Sequence, residues 1–142
     1  MIKFTIDFDI RIKDFKFFEE ILIKGKHNPS FTSNWQKINF DHNIKWDISK
    51  HLINIDERKI KFQFKLKIRP DLGEIMFKGE CILESPEQEK ISFILHNSPQ
   101  LLNKFVSKFL LKYSYINAEK FAKEQKLLFP PIVLILKRFG IQ

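Results

Sequence analysis

The chain has 142 residues, of which 44% are hydrophobic and 30% charged, with a formal net charge of +8. This is the length of one domain, able to bury roughly 70% of the surface its unfolded form exposes, and the composition excludes wholesale disorder. A single cysteine, Cys81, excludes an intramolecular disulfide and a zinc ribbon, and no apolar run approaches the ~18 residues of a membrane span.

Phe and Ile supply most of the apolar content, whereas Ala occurs only at 118 and 122 and Val only at 106 and 133. From the second residue onward apolar and polar positions alternate, which leaves no room for a signal or transit peptide and leads to the expectation of a cytoplasmic protein. The positive charge is concentrated late in the chain: residues 101–142 carry eight basic and only two acidic side chains. Cys81 is read as a small buried hydrophobe rather than a reactive thiol.

Ile2, Phe4, Ile6, Phe8, Ile10 and Ile12 alternate with polar residues, the period of two expected of a strand with one wet face. Between Phe15 and Ile23 the alternation fails, so a bent strand and a short helix both remain open for this segment. Gly25, Asn28, Pro29 and Ser33 then indicate a loop. A second strand is predicted along Ile38, Phe40, Ile44, Trp46 and Ile48, with His42 in the inward register. The third runs through Ile60, Phe62, Phe64, Leu66 and Ile68, and the turn Arg69-Pro70-Asp71-Leu72-Gly73 leads to a fourth through Ile75, Phe77, Cys81 and Leu83. The short turn makes the last two an antiparallel hairpin, and Gly79 signals a bulge or a close backbone approach.

Ser85, Pro86 and Gln88 form a capping box that predicts a short helix to about Leu95. Ser98 and Pro99 start a long one ending near Lys126, with Leu101, Leu102, Phe105, Val106, Phe109, Leu110, Tyr113, Ile116 and Phe121 as the apolar stripe laid on the sheet. The Pro130-Pro131 pair predicts an extended, packed segment from Phe129 to Leu136. The resulting expectation is a single α+β domain over residues 1–142, an antiparallel sheet of about four strands with a short helix and a long C-terminal helix on one face.

No constellation points to catalysis. The four histidines, His27, His42, His51 and His96, lie in separate elements, and Asp41, His42, Asp47 and His51 do not converge because 42 faces away from 41 and 47. The four glycines cannot build a phosphate-binding loop, and no serine sits in a nucleophile elbow. A non-enzymatic protein with no metal and no cofactor is therefore expected. Lys104, Lys108 and Lys112 repeat every four residues and Lys120, Lys123 and Lys126 extend them, a stripe that suits either a solvated helix face or the phosphates of RNA.

From Trp35 onward the order and punctuation of the chain, "INFDHNIKWDI", then "KIKFQFKLKIRPDLGEIMFKGECIL", a long helix and "LLFPPIVLIL", resemble the export chaperone SecB and SecB-like proteins of archaea. The resemblance implies a four-stranded antiparallel sheet with helices on one side, assembly into homo-oligomers, and apolar grooves that hold unfolded polypeptide. That family is typically acidic, and this chain is basic. Residues expected to contact polypeptide are Phe15, Phe17, Phe18, Ile21 and Leu22, whose broken alternation cannot hide them all, with Phe31, Trp35 and the Phe129 tail. The alternative partner is RNA or a ribosome, held by the lysine stripe.

Overall fold

A period of two in the sequence becomes a sheet with one apolar face, and a period near 3.6 becomes the rod that covers it. The computed structural model describes residues 10–25, 39–54, 57–69, 73–85, 90–127 and 129–140. Four strands, β1 (Arg11–Lys24), β2 (Asn39–Asn54), β3 (Glu57–Arg69) and β4 (Gly73–Glu84), form one antiparallel sheet in the order β1-β4-β3-β2. Three helices follow: α1 (Lys90–Asn97), α2 (Pro99–Glu124) and α3 (Ile132–Arg138). The α+β class, the four-stranded antiparallel sheet and the long helix agree with the sequence reading, β2, β3 and β4 being the expected second, third and fourth strands. The first expected strand falls outside the described residues up to position 9, as do Pro86 to Gln88 of the capping box.

Covered positions alternate strictly along the central hairpin. Ile60, Phe62, Phe64, Leu66 and Ile68 of β3 and Ile75, Phe77, Cys81 and Leu83 of β4 are all buried. Phe64 and Phe77 stack across the two strands with ring centroids 5.8 Å apart, and Tyr115 and Phe121 of α2 close over them. Each such ring removed from water contributes about 1.5–3 kcal/mol.

Two hydrogen bonds set the direction of α2. His42 Nδ1 and Tyr115 Oη lie 2.7 Å apart, and Trp46 Nε1 donates to Ser107 Oγ at 3.0 Å. Four residues of extended strand span about 13 Å and eight of helix about 12 Å, so the rod runs alongside β2 in the opposite sense. On its other flank Tyr113 stacks on Phe15 at 4.8 Å, and Asn117 Nδ2 donates to Glu20 of β1.

The buried row of α2 corrects the expected stripe. Leu102, Val106, Leu110, Ser114, Ala118 and Ala122 are buried, together with Tyr115, whereas Tyr113 and Ile116 are exposed. A four-residue step advances about 40° around a 3.6-residue helix, so this row winds as α2 crosses the sheet, from the core cluster it shares with α1 to the one it shares with α3. The chain's two alanines lie in its second half, where small side chains make room for Phe64, Phe77 and Tyr115.

Of the two forms left open for Phe15 to Ile23, the structure has the bent strand, and its alternation fails because β1 carries two register shifts, at Lys13/Lys16 and Phe17/Glu19. Each inserts one residue and exchanges the faces, and Asp14 takes the left-handed conformation (φ 56°) within the first. The Pro-Pro tail is helical rather than extended beyond Pro131. Proline is tolerated ahead of a first turn, where its missing N–H costs nothing, and Glu119 of α2 accepts the Ile132 N–H at 2.8 Å. Ile135 is buried, Leu136 and Phe139 pack on the core, and Phe139 closes over His42 and Tyr115 at 4.7 and 5.9 Å.

Gly79 is a close backbone approach, as its position in the strand suggests. A Cβ there would overlap the Lys16 carbonyl oxygen on β1 and lie 2.7 Å from the Phe62 ring. Gly79→Ala is expected to lower the unfolding free energy by about 1–3 kcal/mol, read from urea denaturation.

Burial lowers the pKa of His42 below the ordinary 6.5 and raises that of Tyr115 above the phenol range. The unfolded chain therefore binds a proton at His42 more readily than the folded one. The contribution of neutral His42 is complete above pH 6.5 and is lost as the pH falls below it. The midpoint of urea unfolding should drop as the pH falls below about 6.5, and His42→Gln should flatten that part of the profile.

Candidate functional site

With all three helices on one side, the other face of the sheet is open among the described residues. Its outward side chains are mostly charged. Lys59 meets Glu80 at 3.7 Å, Lys67 meets Glu74 at 3.6 Å, Lys78 meets Glu19 at 3.6 Å, and Arg69 meets Asp41. At one end Lys13 bridges Glu57 and Glu84, each at 2.8 Å, while Arg11 reaches Glu84 at 3.0 Å. Hydrogen bonds to the two carboxylates raise the Lys13 pKa above the usual lysine range, and that to Lys13 holds Glu84 below the usual carboxylate value.

One corner of this face is apolar. Phe18, Ile21 and Ile23 of β1 are 56%, 44% and 55% exposed. Beside them a groove of about 250 Å³ is lined by Ile21, Ile23, Met76, Glu74, Lys65 and Lys67. Met76 is held on its far side by Gln63, whose Nε2 approaches the thioether at 3.3 Å. β1 is an edge strand: β4 occupies one side, and no described strand pairs with the other. Its backbone donors and acceptors therefore adjoin the apolar corner, the arrangement that lets a sheet take up an extended chain.

The bulges of β1 sort the residues singled out in the sequence. Phe15, Phe17 and Leu22 turn to the covered side and pack partly buried on the two core clusters; Phe17 meets Phe62 and Phe77 at 5.6 and 5.5 Å. Phe18 and Ile21 stand on the open face. Phe129 is docked against Phe40 at 6.0 Å. Phe31 and Trp35 lie outside the described residues. Ile23 and Met76 were missed, although the apolar run Ile21-Leu22-Ile23 could have pointed to the first, since adjacent strand positions cannot all face one core.

Lys104, Lys108, Lys120, Lys123 and Lys126 are exposed and Lys112 is half-buried, all on the opposite side of the molecule from the groove. Lys123 lies 3.9 Å from Glu119. The lysines thus form a second surface, separated from the first by the sheet and by α2 itself.

Titratable groups do not assemble into reaction machinery among the described residues. Cys81 is buried, and desolvation pushes its thiol up to about 12, far from a reactive thiolate. His42 is engaged with Tyr115 on the covered side, Asp41 is paired on the open one, and no three His, Cys, Asp or Glu side chains group as metal ligands among the described residues. No described helix is long and apolar enough to cross a membrane.

No protein-family model matches the chain, and no curated protein matches it in sequence. Solved structures do match in fold. The Mycobacterium tuberculosis SecB-like chaperone Rv1957, in complex with a ChAD peptide from the Rv1956 HigA1 antitoxin, is 12% identical with a TM-score of 0.53, the match covering 87% of each chain. The described architecture is therefore similar to that of a SecB-like chaperone, and at this identity the likeness extends to the fold alone.

Proposed function

We propose that the protein is a non-enzymatic binding module for unfolded or extended polypeptide, acting as a chaperone or assembly factor. The observation that carries the reading is the apolar corner of the open face: three large exposed side chains on one edge strand, a groove beside them, and a strand edge that no described strand pairs. The fold likeness supports it, since the mycobacterial chaperone was solved with a peptide bound. Phe18, Ile21 and Ile23 would supply the apolar contacts, and the alternating backbone of a client would present every second side chain to them.

The test is suppression of aggregation. A chemically denatured client diluted into equimolar protein should scatter less light than the client alone. Ile21→Asp and Ile23→Asp, at exposed positions, should cost no more than about 1 kcal/mol of stability yet weaken the suppression about tenfold. Unchanged scattering with the unmodified protein would remove the reading.

A second reading rests on the outward lysines of α2, which suit the phosphates of RNA. It requires RNA affinity that falls steeply with salt and drops further in the Lys104→Glu, Lys108→Glu, Lys112→Glu triple variant, measured by filter binding. Salt-independent binding, or none, would exclude it.

A further inference from the structure

The basic side chains along the open face of β3 are not equivalent. Lys59, Lys67 and Arg69 each have an acidic partner, Glu80, Glu74 and Asp41. Lys61 has no ion pair among the described residues, yet its register neighbours are both acidic, Asp47 on β2 and Glu80 on β4. Lys65 differs from all of these. Its neighbours in register are Asn43 and Met76, both neutral, and it has no ion-pair partner among the described residues. Its side chain is exposed and lines the groove, with Ile21 lying beyond Met76 in the same cross-strand row.

We propose that Lys65 makes this groove selective for an extended polypeptide segment in which a carboxylate lies close to apolar residues. The proposal rests on the polypeptide reading above and adds the charge of the client to it. Complementarity is the reason: the groove offers apolar walls from Ile21, Ile23 and Met76 and one uncompensated ammonium, because the Glu74 carboxylate is taken by Lys67. A basic or neutral segment would leave that ammonium without a counter-charge, and a lysine above it would add like-charge repulsion.

The sheet spacing also decides where the segment lies. Strands are about 4.8 Å apart, so a chain added to the outer edge of β1 would sit about 14 Å from β3, beyond the reach of the Lys65 side chain. A carboxylate read by Lys65 therefore belongs to a segment seated over the open face, above Met76, with its apolar side chains against Ile21 and Ile23.

The experiment uses a fluorescent decapeptide of alternating leucine and serine, made in three versions with Glu, Gln or Lys at a central polar position. Binding to the full chain is followed by anisotropy. At low ionic strength the Glu version should bind about fivefold tighter than the Lys version, and the difference should shrink at high salt. Lys65→Glu should reverse the order, whereas Lys61→Glu should leave it as it is. Equal affinities for the three peptides, or a preference that survives in Lys65→Glu, would overturn the inference; if Ile21→Asp still weakened all three, the polypeptide reading would stand without it. Failure of every peptide to bind would remove both.

Discussion

Phe64 and Phe77 stack at the centre of the sheet, fully out of water, and the arrangement holds only with a cover above them. α2 is that cover, and its small residues Ser114, Ala118 and Ala122 let it approach while Tyr115 and Phe121 fill the flanks. Magnitudes explain the choice of face. A buried ring is worth about 1.5–3 kcal/mol, whereas a solvent-exposed ion pair like those on the opposite side is worth about 0–1 kcal/mol. The apolar face takes the helices, and the charged face is left to solvent and to partners.

The hydrogen bonds that orient α2 are few but directional. Tyr115 with His42 and Ser107 with Trp46 fix the rod along β2, and α3 seals the first pair with Phe139. Burial of a polar pair is costly unless it is satisfied, so the pair specifies one position of the rod as well as contributing to its stability. This anchoring also ties the C-terminal helix to the sheet, since Glu119 of α2 takes the first N–H of α3.

The edge strand turns packing into a surface. A perfectly alternating β1 would present one apolar face to the core and one polar face to water. Two inserted residues break that pattern and leave Phe18, Ile21 and Ile23 outside while Phe15, Phe17 and Leu22 stay in. Gly79 on β4 accepts the close approach of the Lys16 backbone at this irregular edge. The same irregularity that lowers the regularity of the sheet therefore creates its exposed apolar corner, and the open face beside it holds Lys65, which has no ion-pair partner among the described residues and only neutral neighbours in register.

The residue periods alone determined β2, β3 and β4, their one-sided burial and the long helix, because alternation and helical spacing are local properties that burial amplifies. The inward place of His42 and the close approach at Gly79 were legible for the same reason. Tyr113 and Ile116 were not: the buried side of α2 winds around its axis, and that winding depends on what α1, α3 and a twisted sheet put above and below each turn. The short tail helix was hidden by its two prolines, because the side chain that caps it comes from α2. Which of Phe15, Phe17, Phe18, Ile21 and Leu22 reach solvent was decided only in three dimensions, since each bulge in β1 exchanges the two faces and its position is set by pairing with β4. The unpaired state of Lys65 has the same origin, for a lysine's neighbours across a sheet are distant in the chain and only the register brings them together.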